Sequence, residues 1–154
     1  MHRDIKPANA LIRYSPSHKG AGPKIESLVL TDLGFACRAG SDHGCPGTPR
    51  YMSPELVREQ PYGLPADVWA AGVSLMELWT RAEPMAEAQD DYECEDRIDA
   101  EFRPPEMLGP VWHDSEALLA GKPVLWDALR RCFLPQKERV GAAALQVALG
   151  CSYI

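Results

Sequence analysis

The chain has 154 residues, 45% of them apolar and 25% charged, ordinary values for one globular domain able to hide about 70% of its unfolded surface. A net charge of −6 argues against a nucleic-acid-binding body, which would be basic. The longest apolar run, "VWAAGV", is far too short to cross a bilayer, and the charged N-terminus has no signal-peptide core, so neither nucleic acid nor membrane is expected as a partner.

The chain opens on a dense polar patch, "HRDIKPAN" (2–9). "NALIRY" and "ESLVLTD" follow as short apolar runs joined by the turn-rich "SPSHKGAGPK", which predicts two small strands and a loop. Residues 37–49 carry Gly, Ser, Asp and Pro without periodicity and read as a long loop, often a functional one. "SPELV" reads as a short helix. "LPADVWAAGVSLMELWTR" predicts the main helix, with Pro65 at its first position and Asp67 in the first turn, where a carboxylate meets the helix dipole. Its apolar residues cover nearly the whole circumference, which predicts burial on most sides at the centre of the core.

"PVLWDALRRCFL" predicts a helix that turns Val124, Leu125, Ala128, Leu129, Cys132 and Phe133 inward and Asp127, Arg130 and Arg131 outward. "AAALQVALG" predicts a last helix stopped by Gly150. The fold class is therefore α+β, mainly helical, with short strands near the N-terminus and a buried central helix. The five cysteines (Cys37, Cys45, Cys94, Cys132, Cys151) form no C-x-x-C pair, and His43 with Cys45 lacks the second ligand cluster of a zinc site. Reduced thiols and an intracellular location, cytoplasmic or nuclear, are expected.

Taken singly, the polar residues have plain explanations. Asp67 serves a helix dipole, while Asp32 and Asn9 suit turns. Their joint order says more: His2, Arg3, Asp4, Lys6 and Asn9, then a strand leading to "DLG", then "GTPRYMSPE", "DVWAAG" and a late Arg139. This set resembles the C-terminal lobe of eukaryotic serine/threonine protein kinases, whose signatures include H-R-D-x-x-x-x-N, D-F-G and A-P-E.

The resemblance implies phosphoryl transfer from ATP to a Ser or Thr hydroxyl of a protein substrate. It makes Asp4 the residue that accepts or orients the hydroxyl proton. Lys6 would neutralise the transferring phosphate, and Asn9 and Asp32 would hold Mg²⁺ through hard oxygen ligands. His2 and Leu33 would pack behind the site. Asp67 would tie the catalytic loop to the central helix, Thr48 would hydrogen-bond to that loop, and Glu55 with Arg139 would fasten the activation segment.

Departures are also legible. Leu33 stands for the usual Phe and Ser53 for Ala. Arg3 beside Asp4 implies control by a segment phosphate. Gly44 occupies the commonest acceptor position, which leaves Ser41 as the nearest hydroxyl. No G-x-G-x-x-G loop, strand lysine or partner glutamate occurs in the 154 residues. Residues 1–154 are thus expected to be a partial kinase domain whose nucleotide-binding lobe lies in a longer product or in another kinase. Without the helices that precede the loop in the family, the central helix should expose apolar faces. The alternatives are a non-catalytic kinase-remnant binding module and a truncated gene product.

Overall fold

The computed structural model describes residues 1–15, 24–40, 44, 46–100 and 103–148. Ser41, His43, Cys45, Gly150, Cys151 and the loop between the strands lie outside the described residues. A 3-10 turn, Pro7–Asn9, leads into β1 (Ala10–Ser15), which pairs antiparallel with β2 (Lys24–Leu30) in the register Ala10↔Leu30 to Ser15↔Lys24, with an irregularity between Arg13 and Tyr14. A second 3-10 turn, Leu33–Phe35, follows, and a third, Pro49–Tyr51, precedes α1 (Pro54–Val57). The remaining helices are α2 (Leu64–Thr80), α3 (Asp91–Ala100), α4 (Pro104–Leu108), α5 (Pro110–Leu118), α6 (Pro123–Arg130) and α7 (Ala142–Ala148).

The architecture is the expected one, a mainly helical body with one short two-stranded ribbon at the N-terminal end. Helix α2 starts after Gly63 and ends where Arg81 turns to φ +58 and its N–H bonds the Glu77 carbonyl at 2.7 Å. It supplies Trp69, Val73 and Met76 to the core, each fully buried. Helix α5 adds Val111 and Trp112, and the 3-10 turn Arg131–Phe133 after α6 adds Cys132 and Phe133. Phe133 stands edge-on between Trp69 and Trp112, with ring centroids 5.0 and 5.5 Å away, the geometry aromatic quadrupoles favour.

The acidic stretch "DDYECED" opens α3, where Cys94 and Ile98, four residues apart, are fully buried while Asp91, Tyr92 and Asp96 face outward. No helix among the described residues is long and apolar enough to cross a membrane.

Helix α2 shows the exposed apolar face expected of it: Leu75, Leu78 and Trp79 are 39%, 57% and 39% exposed, with Lys122 Nζ 5.1 Å from the Trp79 ring centroid, while the opposite face packs on α5 and Phe133. Three expectations need correction. Val124 is 68% exposed because it lies in the first turn of α6, and burial is complete only a turn later, at Ala128 and Leu129. Leu33 is 67% exposed rather than packed behind the site, and the ribbon it follows presents Leu11, Ile12, Tyr14, Leu28 and Val29 to solvent as well. Pro65 is also the second helical residue rather than the first.

Gly72 is the closest point between α2 and the turn after α6. A Cβ there would lie 2.8 Å from Cys132 Cβ and 2.9 Å from Phe133 Cζ. The missing side chain lets the two backbones approach, and a larger residue must push them apart. Gly72→Val should cost about 1–3 kcal/mol through overpacking, a small helix-propensity gain included. Calorimetry should find a melting temperature lower by roughly 2–10 °C; an unchanged melting temperature would contradict this packing.

Candidate active site

The site begins with a backbone turn at the N-terminus. Arg3 adopts φ +69, a left-handed conformation uncommon for a side chain with a Cβ. The turn is held by the half-buried carboxylate of Asp67 in the first turn of α2. Its Oδ2 accepts the N–H of His2 and its Oδ1 that of Arg3, both at 2.8 Å.

His2 is buried and bridges the N-terminal turn to the end of β2. Its Nδ1 accepts the Asp4 N–H at 3.3 Å, which leaves Nε2 to carry the proton and donate to the Thr31 carbonyl at 3.0 Å. Thr31 in turn donates its N–H to the Asn9 carbonyl at 2.9 Å. The end of β2 is thereby stitched to the loop before β1.

Asp4 lies at the centre, with its side chain only 4% exposed. Thr48 Oγ1 donates to its Oδ1 at 2.7 Å, while Lys6 Nζ at 3.0 Å and Asn9 Nδ2 at 2.9 Å share its Oδ2. Lys6 Nζ also donates to Thr48 Oγ1 at 2.5 Å, and Asn9 Nδ2 to the Asp4 carbonyl at 2.9 Å. Burial pushes the Asp4 carboxyl upward, but the donors Thr48 and Lys6, the charge of Lys6 and the Asn9 amide outweigh it, so the pKa falls below its ordinary value. The group is an anion at neutral pH. Three of its roughly four acceptor positions are filled, which leaves room for one further donor.

Asp32 sits one residue beyond Thr31, in a left-handed turn at φ +59. It is exposed, and its Oδ1 accepts the Gly34 N–H at 3.4 Å. The Asn9 amide points its nitrogen at Asp4, which leaves Oδ1 as an oxygen ligand. These two side chains offer hard oxygens near an anion–cation pair, a donor set suited to Mg²⁺, which keeps several waters and phosphate oxygens of its own.

Residues 1–147 of the chain match the family described as protein kinase domain. The chain belongs to the protein kinase family. Over 79 residues it is 43% identical to the alpha chain of calcium/calmodulin-dependent protein kinase type II of Drosophila melanogaster, and 44% to the delta subunit of Oryctolagus cuniculus, covering 49% of this chain and 14% of each relative. Over 89 residues it is 45% identical to the serine/threonine-protein kinase TIO of Arabidopsis thaliana, covering 54% of this chain and 6% of that protein. The resemblance read from the residues, to eukaryotic serine/threonine kinases, is the family found.

Within this kinase chain His2, Arg3, Asp4, Lys6, Asn9, Thr48 and Asp67 form one connected network. Asp32 adjoins it through Thr31 but shares no direct hydrogen bond with the others. Glu55 and Arg139 lie apart from it, 84 positions from each other in sequence. The Arg139 guanidinium meets the Glu55 carboxylate at 2.5 and 3.1 Å, with side chains 0% and 5% exposed. It also donates to the carbonyls of Leu134 and Pro65 at 3.0 and 2.9 Å and stacks over the Trp69 ring.

Sequence reasoning missed several supports of the segment that carries Thr48. Arg50 donates to the carbonyls of Pro84, Met85 and Ala88, clamping the turn after α2. Tyr51 donates to Glu77 at 2.7 Å, and burial, with this bond to a carboxylate, raises its phenol well above the ordinary value. Gly47, at φ +133, passes so close to the Arg3 carbonyl that a Cβ would lie 2.6 Å from it. No local motif announces these contacts.

Removing one partner of a buried pair costs more than the pair contributes, because the other charge is left without compensation. Arg139→Ala should therefore lower the unfolding free energy by about 3–5 kcal/mol, read from urea midpoints. Arg139→Lys should recover only part of that, since an ammonium cannot reproduce the two-pronged contact. A loss under about 1 kcal/mol for the alanine variant, the size of an exposed ion pair, would contradict this anchoring.

Proposed function

We propose that the chain is the catalytic and substrate-facing part of a serine/threonine protein kinase, transferring the γ-phosphoryl group of ATP to a protein hydroxyl. The observation that carries this reading is the buried Asp4 anion, held by Thr48, Lys6 and Asn9 with one acceptor position to spare. In this reading the hydroxyl oxygen of the substrate bonds to the γ-phosphorus as the bridging bond to ADP breaks. Asp4 orients the hydroxyl and receives its proton. A carboxylate with a lowered pKa is a weak base, which suits a loose transition state that needs positioning more than proton abstraction. Lys6 leans toward the transferring oxygens, and its shared contact with Asp4 and Thr48 holds it in place. Asn9 and Asp32 would hold Mg²⁺, which when bound supplies neutralising charge to the phosphate oxygens.

The phosphate-covering loop and the lysine–glutamate pair that kinases need are not in these residues, so the reading includes a nucleotide-binding lobe from a longer product or another kinase chain, and an inactive isolated chain. The location follows the family expectation, inside the cell. A second reading, a kinase-derived module that docks on a partner, is favoured by the exposed apolar ribbon and the partly exposed stripe of α2.

The test uses protein captured from its own cells, weighed intact and assayed with ATP, Mg²⁺ and a generic protein substrate. Material well above 17.0 kDa should phosphorylate Ser or Thr, and Asp4→Asn should reduce that transfer at least a hundredfold, the lower end of what a positioned acid–base group contributes. Transfer that survives Asp4→Asn, or an active native product of 17.0 kDa, would contradict the proposal.

A further inference from the structure

Arg3 has a second set of contacts that the catalytic network does not use. Its Nε donates to the Phe35 carbonyl at 2.6 Å, just past β2, and its Nη1 donates to the Tyr62 hydroxyl at 2.9 Å. Tyr62 lies in the connection between α1 and α2, and its hydroxyl donates onward to the Gly44 carbonyl at 3.0 Å. A guanidinium N–H and a backbone carbonyl are joined here through a phenol, the one tyrosine group that both accepts and donates.

The same segment reaches Arg3 a second time at Gly47, which packs on the Arg3 carbonyl. Residues 44–48 therefore meet the catalytic loop at three successive places. Gly44 is reached through Tyr62, Gly47 by direct approach, and Thr48 through Asp4 and Lys6. The first of these contacts depends on a single hydroxyl.

We propose that Tyr62 is a positioning residue, which holds the activation segment against the catalytic loop by bridging Arg3 to Gly44 without a phosphate. The proposal rests on the kinase reading of Asp4 and its neighbours. It changes what Arg3 implies. A phosphorylated segment would offer strong anionic acceptors to that arginine, whereas Tyr62 offers it a hydroxyl from a distant connection. A phosphate arriving on the segment would have to compete with Tyr62 for Arg3.

Tyr62→Phe removes the hydroxyl and keeps the ring, so the fold is preserved. The readout is the rate of trypsin cleavage at Arg38 and Arg50, the two sites that bracket Gly44, with the melting temperature as a control. Loss of this bridge should speed cleavage about three- to tenfold, as expected for one or two hydrogen bonds, with little change in melting temperature. Arg3→Lys should act similarly, and the double variant should fall short of the product of the two, since both break one link.

Replacing Tyr62 by para-aminophenylalanine, which keeps a ring group able to donate and accept, should restore slow cleavage. Native-like cleavage in Tyr62→Phe, fully multiplicative effects, or no rescue by the amino analogue would each overturn the proposal. None of these measurements involves nucleotide, so a failure here is distinct from a failure of the kinase reading, which phosphoryl transfer decides.

Discussion

One carboxylate carries the geometry of the site. Asp67 takes the backbone N–H groups of His2 and Arg3 on its two oxygens, at 2.8 Å each, and so stabilises a left-handed turn that Arg3 would otherwise avoid. The turn aims consecutive residues in different directions. His2 goes inward to Thr31, Arg3 outward to Phe35 and Tyr62, and Asp4 toward Thr48 and Asn9. Because Asp67 belongs to the first turn of the longest helix, the loop inherits the rigidity of the core, where Trp69 is buried two residues on. Without the carboxylate, two amides would lose their acceptor, and each such loss costs about 1–3 kcal/mol.

The Asp4 network follows from that turn and has a pH dependence of definite sign. Burial alone would favour the neutral acid, yet the donors around Asp4 bind the anion more strongly, and the folded pKa falls below the ordinary 3.8. The stability gained from this ionisation is present above the ordinary value and is lost as pH falls through the lower, folded value. At neutral pH the anion is fully formed and Lys6 stays beside it. The same contacts that keep Asp4 ionised make it a weak base.

Much of this was legible in the residues, and the exceptions have physical reasons. The strands were readable as apolar runs either side of a turn-rich loop, α2 from its proline start and its long apolar content, and α6 from apolar residues at helical spacing. Helices α3, α4 and α5 were not assigned individually, since α3 shows only a few apolar residues among seven consecutive positions that include five acids, and α4 is a single turn before α5. They depend on the core they join. Leu33 and Val124 were read as buried because an apolar side chain advertises its preference but not whether a neighbour exists to cover it. The network residues were found through their order along the chain. Arg50 and Tyr62 were not, because their acceptors include backbone carbonyls 18 to 38 residues away. Every position has a carbonyl, so such bonds leave no mark in sequence.

The Asp67 clamp thus creates the environment of Asp4. An asparagine at position 67 would accept one amide and turn its own NH₂ toward the other, so Asp67→Asn should release the turn while leaving α2 intact. The decisive measurement is the titration of the Asp4 side-chain carboxyl by carbon NMR in the native chain and in this variant. The native midpoint should lie below 3.8 and move back up toward it in Asp67→Asn. A midpoint that stays at its native position in the variant would mean that Asp4 owes its state to something other than the clamp.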